Sequence, residues 1–411
     1  MKKLSVAVLT ILLVVLLANP AAASINYQVN GKVYQPVKAP EVMGGTTMVS
    51  LTVLQRTIGA DTSISGNKIT VKSNDDLLEL EVGSKSAKLN GQAISLPQAP
   101  KNENGQIIIP IRGTLDRLGA AMTWQGSQQT VAINYSERQD GMTAEEILVK
   151  SNEALTKYNT YKMKGKLTQD TIMTSPDLPK ENMKVNSKVD MDVAAQTKPI
   201  QVYAKYKINS LAAGQKVDVD AEMLCNESGM YMNMGDSKWI KMSLPGLDMK
   251  TIMEQAGGDD PLSYMKQMKE AGVILSLGNQ CQNNGRDCWA VNLTMGKDAL
   301  SSLMQKTLKN APLPDTGSGD MGGFIQDTMK NMKGEIGVTY FVDKQTFLPI
   351  FMTMDMKMQM NVNIPASGSS GKASAMSMDM NQKGTFEING WGESFTVPDV
   401  SNAQEMILPV N

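Results

Sequence analysis

The sequence predicts an α+β chain: a small duplicated α+β module, followed by a curved antiparallel sheet, a half-barrel, with helices on one face. Three observations lead there. Residues 26 to 134 repeat at an offset of 60. Most of the chain beyond Tyr161 alternates apolar and polar residues with the period of two that a half-buried strand requires. Helical spacing interrupts that alternation in two places, around 248–271 and 297–332.

The chain of 411 residues is long enough for two or three domains, and 41% apolar with 20% charged residues marks it as globular. It contains no histidine, which removes imidazole acid–base chemistry, Ser-His-Asp and Cys-His triads and every His-ligated metal centre. No G-x-S-x-G, Walker or dinucleotide fingerprint is present, and no carboxylate pair stands out for hydrolytic work. The chain therefore reads as no enzyme, with no cofactor. Net charge is −1 and gives no reason to expect nucleic acid as a partner.

MKKLSVAVLTILLVVLLANPAAA has a basic start, an apolar run from Leu4 to Ala18, a break at Asn19-Pro20 and small residues before Ser24. This is the pattern of a signal peptide over 1–23, cleaved near Ala23-Ser24; the alternative is an uncleaved anchor, for which the run is short. No cysteine directly follows the apolar run to carry a lipid. The expectation is a secreted or cell-envelope protein.

In the duplicated unit, Asn30-Gly31 recurs as Asn90-Gly91, Gly59-Ala60 as Gly119-Ala120, Gly66 as Gly126 and Thr70-Val71 as Thr130-Val131. Each copy reads as a hairpin turned at Asn-Gly, a strand running into a short helix (Thr52 to Ile58, Gly113 to Leu118) that ends at glycine, and a second hairpin near Gly66 or Gly126. Two copies can share one core. The second copy holds Ile109-Pro110-Ile111-Arg112, Leu118-Gly119-Ala120 and Trp124-Gln125-Gly126 followed by Thr130-Val131-Ala132-Ile133. On those residues, 24–135 resembles the stalk-like N-terminal domain of copper amine oxidases. The first copy departs, with Ser50, Thr52 and Ile64 where the second has Pro110, Arg112 and Trp124. The resemblance implies a spacer or attachment module, with Arg112 and Trp124 structural. An amine oxidase would need three copper-binding histidines, which this chain lacks.

After a polar linker, 136–142, Thr143-Ala-Glu-Glu146 forms a capping box for a helix over Glu145 to Lys157. Strand segments come next, over Tyr161–Ile172, Met183–Val193, Gln201–Asn209, Lys216–Leu224, Gly229–Met234 and Lys238–Met242. Helices are expected over Asp248–Gln255 and Pro261–Ala271, then a hairpin of Val273–Cys281 and Cys288–Thr294 about Asn284-Gly285, and a helix over Lys297–Leu308. Pro312–Gly323 reads as a loop and Phe324–Met332 as a helix. Strands close the domain over Gly334–Val342, Leu348–Val362, Ser374–Lys383 and Thr385–Ile388, with a loop at Pro365–Gly371 and a tail from 402 to 411. The leading helix, the step Tyr340-Phe-Val-Asp-Lys-Gln-Thr-Phe-Leu-Pro349 and the long final strands make 143–401 similar to the LolA/LppX-type lipoprotein-carrier superfamily, in an uncharacterised Gram-positive branch. That resemblance implies a barrel-like fold holding lipid acyl chains, and transfers no single binding residue.

The chain holds 32 methionines, 28 of them between Met142 and Met406. MTMDMKMQM places Met352, Met354, Met356, Met358 and Met360 on one strand face; MSMDM does the same with Met376, Met378 and Met380, and MYMNM with Met230, Met232 and Met234. Three readings stand open: an ordinary core filled by a flexible side chain, an apolar-ligand face, or a Cu(I)/Ag(I) site, since thioethers select soft metals. The last requires partners from a neighbouring strand. The ligand-facing reading expects a lipid or other apolar small molecule as partner, with cell-wall or envelope components as further partners. A structural envelope protein with a solid methionine core is the other class.

Cys281 and Cys288 face one another if Asn284-Gly285 is a two-residue turn, and an exported chain permits their disulfide. Cys225 is left over, as a buried thiol or an intermolecular partner. Asp218, Asp220 and Glu222 share one face, which reads as solvated rather than as a calcium site. Asp315 to Gly323 lacks EF-hand spacing and reads as a loop.

Overall fold

A computed structural model of the chain describes residues 25–175, 184–212, 214–235, 238–243, 261–310, 332–364 and 374–407. Residues 1–24, the expected helix at 248–255, that at 324–332 except Met332, the loops at 312–323 and 365–371, and residues 408–411 lie outside them.

In the N-terminal module Asn-Gly turns close both leading hairpins, Asn26–Val29 with Lys32–Tyr34 and Ser86–Leu89 with Gln92–Ser95. All four turn residues sit at positive φ, which this turn type demands. The helix Thr52–Ile58 stops at Gly59. Its counterpart is tighter: α over Ile111–Leu115, then 3-10 over Asp116–Leu118 to Gly119. The copies do not fold side by side. The first strand, Asn26–Val29, pairs in parallel with the last, Thr130–Asn134, and Thr46–Ser50 pairs with Gln106–Pro110. One core results, including Tyr27, Leu54, Ile69, Ile109, Leu115 and Ile133, all buried. Trp124 is 45% exposed and Arg112 is exposed, so both stand outside that core.

The second domain opens with helix α1 (Ala144–Leu155), whose Thr143 and Glu146 make the capping box. Four long strands come after it: β1 (Thr160–Thr174), β2 (Lys184–Thr197), β3 (Ile200–Ala212) and β4 (Gln215–Asn226). Then come β5 (Gly229–Asn233), β6 (Ile240–Ser243), α2 (Pro261–Ala271), β7 (Ile274–Leu277), β8 (Cys281–Asn283), β9 (Arg286–Met295) and α3 (Lys297–Asn310). The last strands are β10 (Lys333–Asp343), β11 (Pro349–Ile364), β12 (Ser374–Asn389) and β13 (Gln404–Ile407). Together they form one sheet in the order β7-β9-β10-β11-β12-β1-β2-β3-β4-β5-β6-β13, with β8 paired to β9, curled into a half-barrel.

Three details differ from the sequence reading. The segment 273–281 breaks into β7 and β8. The final strand runs unbroken through Gly384, because the Phe386 ring packs over the glycine. The expected tail contributes β13, which pairs in parallel with β6 and extends the sheet.

Helices and module occupy opposite faces of the same strands. Ile147 and Leu148 of α1, Met265 and Met268 of α2 and Ala299 of α3 bury Trp289, Val291, Leu293 and Val342. On the other face the module helix Thr52–Ile58 lies against β7 and β9. At Gly59, φ is 69° and an added Cβ would come within 2.3 Å of the Leu277 carbonyl oxygen, so only glycine permits this approach. Asn279 donates to Asp61 at 2.6 Å, and Tyr34 to the buried Glu335 at 2.9 Å.

Candidate functional site

Strand register decides where the methionines go, because directly opposed residues share a face. Met358 opposes Met380, Met360 opposes Met378 and Val362 opposes Met376. The row starting at Met352 continues through Phe386, Gly165, Met191 and Tyr206 to Ala221. A parallel row runs from Ile388 through Met163, Val193, Ala204 and Met223 to Met232. Met230 sits beside Cys225 in the next row. All three sequence motifs therefore meet on one face, and it is the face that bears the helices, since Met352 and Met354 oppose Tyr340 and Val338. Met234 is the exception. Its strand ends at Asn233, before the turn at Gly235, and Met234 is 52% exposed.

None of the remaining ten methionines is fully buried; each is half-buried, whereas Met48, Met265, Met268 and Met332 lie within packed cores. At the paired positions of this face from β10 to β5, among the described residues, there is no Asp, Glu, Lys or Arg. Burial pushes the Tyr161 and Tyr206 phenols and the Cys225 thiol on this face up from their ordinary values. Phe386 is buried flat over Gly165 and Gly384, where an added Cβ would meet its ring at 2.5 and 2.8 Å. The glycines thus make room for an aromatic floor.

One polar line crosses the apolar face. Gln382 opposes Gln169, Gln169 opposes Ser187 and Ser187 opposes Ser210. The Gln382 amide donates to Gln169 Oε1 at 3.2 Å, the Gln169 amide donates to Thr171 Oγ1 at 3.0 Å, and the two serine hydroxyls share a bond of 2.8 Å. Sequence reasoning did not find this line. Its members come from four strands, and only the register reveals that they are level.

The opposite face carries the charges. Lys164 faces Asp192 at 3.8 Å, Asn209 donates to Asp218 at 2.9 Å and Tyr203 donates to Glu222 at 2.7 Å. Asp218, Asp220 and Glu222 stand on this polar side. Among the described residues no group of three or more His, Cys, Asp or Glu is placed to hold a metal. Two clefts, of about 320 and 340 Å³, lie on the module side of the sheet and at its linker rather than on the methionine face. The second is walled by Arg56, Asp61, Asn292, Thr353, Asp355 and Lys383. Cys281 and Cys288 are bonded, with Cα atoms 5.3 Å apart across the Asn284-Gly285 turn. Cys225 is free and half-buried. Among the described residues no helix is long and apolar enough to cross a membrane.

No curated protein matches the chain. Among solved structures it is similar to LprF from Mycobacterium bovis, at 13% identity over 62% of this chain and 96% of that one, with a TM-score of 0.31. It is also similar to the lipoprotein LppX from Mycobacterium tuberculosis, at 10% identity over 62% of this chain and 98% of that one, with a TM-score of 0.28. Residues 28–133 match the copper amine oxidase N-terminal domain. Residues 143–405, well over half of the chain, match the family of unknown function DUF6612, and the chain belongs to that family.

Proposed function

We propose that this is a non-catalytic, exported cell-envelope protein whose sheet domain takes a lipid or other apolar small molecule on the methionine face. The observation that carries the reading is the face itself: a wide, uncharged surface, continuous across the sheet and left half-buried. A half-buried apolar face of such extent, rather than a sealed core, is what an apolar-ligand surface requires. Methionine suits it, because an unbranched thioether adapts its shape to varied apolar partners. Each Å² of apolar ligand surface buried there contributes about 25 cal/mol. The N-terminal module, docked on the far side, serves as a spacer and does not itself cover the face.

The test is binding of the apolar dye N-phenyl-1-naphthylamine to the mature chain and to Met358→Lys. A charge at the centre of the methionine rows should abolish dye binding while the thermal transition stays cooperative. Equal binding by both proteins would sink the proposal. A Cu(I) or Ag(I) site is favoured by one observation, the direct opposition of Met358 with Met380 and Met360 with Met378. Silver titration of the same two proteins addresses it: a stoichiometric silver complex lost in the variant would support the metal reading.

A further inference from the structure

We infer that the ligand is a neutral acyl lipid whose ester or amide carbonyl lies on the line of Gln382, Gln169, Ser187 and Ser210, with apolar chains on either side. This rests on the apolar-ligand reading and specifies its chemistry. Among the described residues the line, with Thr171 beside it, is a polar band flanked by apolar positions, and it sits in the strand interiors rather than at a sheet end. Measured along β1, the face extends from Gln169 about 26 Å toward Tyr161 and about 13 Å toward Met173, at roughly 3.3 Å per residue. Both fields accommodate alkyl chain.

The hydrogen bonds decide the polarity of the partner. Each glutamine amide has two N–H donors. Gln382 uses one on Gln169, and Gln169 uses one on Thr171, so among the described residues each keeps a second donor open. Two N–H donors on neighbouring strands, beside apolar walls, suit a carbonyl oxygen. A free carboxylate or phosphate does not fit, because among the described residues no Lys or Arg stands at the paired positions of this face to offset its charge, and an uncompensated charge in apolar surroundings is strongly disfavoured.

A polar line can also serve the sheet alone. Sliding a strand by two residues preserves apolar alternation, and only a mismatch at such a line opposes it. The two roles differ in what they do to ligands.

The experiment is displacement of N-phenyl-1-naphthylamine from the mature chain by three probes: methyl palmitate, palmitate, and an n-alkane with the heavy-atom count of the ester, each delivered from cyclodextrin. The ester should displace dye at about fivefold lower concentration than the alkane, the increment of one neutral hydrogen bond. Palmitate should be the weakest of the three. In Q169L/Q382L the ester and the alkane should become equal, each compared at that variant's own dye affinity. If that variant does not fold, Gln169→Met is read the same way. Equal displacement by ester and alkane in the unmodified protein would overturn the inference, as would a preference that survives the variants, leaving the line a register device. Absence of dye binding would instead overturn the apolar-ligand reading beneath it.

Discussion

Arg56 of the module donates to Asp355 Oδ1 at 2.6 Å and to the Asp355 carbonyl at 3.3 Å, with its guanidinium in the space above Gly337. A Cβ at position 337 would lie 1.3 Å from Arg56 Nη1. The glycine on β10 is therefore the socket for an arginine that pins the module to the polar side of the sheet. Gly337→Ala should expel the guanidinium and cost about 2 kcal/mol, in the range of a disrupted, mostly buried pair. Arg56→Ala should cost a similar amount. The double variant should lose no more than either single one, because the clash needs both partners. Urea denaturation of the four proteins measures the coupling, and strict additivity would contradict the socket.

Phe386→Ala should destabilise the sheet domain by about 3 kcal/mol, the usual loss for a buried phenylalanine. The ring is 5% exposed, and its removal uncovers two glycines that have no side chains to close the gap. A change below about 1 kcal/mol in the same denaturation experiment would show that the ring is not the floor of the face.

The bonded pair Cys281–Cys288 closes a short loop at the sheet edge. Loop-closure entropy assigns it about 2 kcal/mol. C281S/C288S should thus melt about 5 °C lower than the oxidised protein. Reductant should lower the transition of the unmodified protein and leave that of the variant where it is.

Glu137, in the linker, accepts from Tyr135 at 3.1 Å and Gln139 at 3.2 Å, and burial raises its pKa above the ordinary carboxylate value. The Tyr135 phenol beside it is pushed up to about 12, again chiefly by burial. A raised carboxylate pKa means that the folded state holds the proton more tightly than the unfolded chain does. Stability from this group is present below the unfolded value and declines as pH rises through the folded one. Glu137→Gln mimics the protonated form, so it should match the parent near pH 4 and exceed it in stability at pH 7. A variant less stable than the parent at pH 7 would mean that the carboxylate form is the one the fold favours.

Local spacing in the sequence carried much of the fold. Asn-Gly turns, the glycine stops of the short helices, the Thr143–Glu146 cap, the cysteine pair and the alternation of the methionine strands are all properties of neighbouring residues, and each appears in the structure. Long-range register was not readable. Gln169 and Gln382 are 213 residues apart, and nothing in either segment announces that they meet. The docking of the module was hidden for a related reason. Arg56 falls where the second copy has Asp116, so the residue that makes the contact is one that the repeat does not share. Met234 was misplaced because alternation alone does not say where a strand stops; the turn at Gly235 does.

That the methionine face holds an apolar molecule is tested most directly by native mass spectrometry of the protein purified from its own host, before and after organic extraction. The predicted result is a stoichiometric, lipid-sized mass increment that extraction removes, and that identifies the ligand. A bare polypeptide mass, together with no uptake of lipid when the protein is incubated with vesicles of its host's lipids, would contradict it.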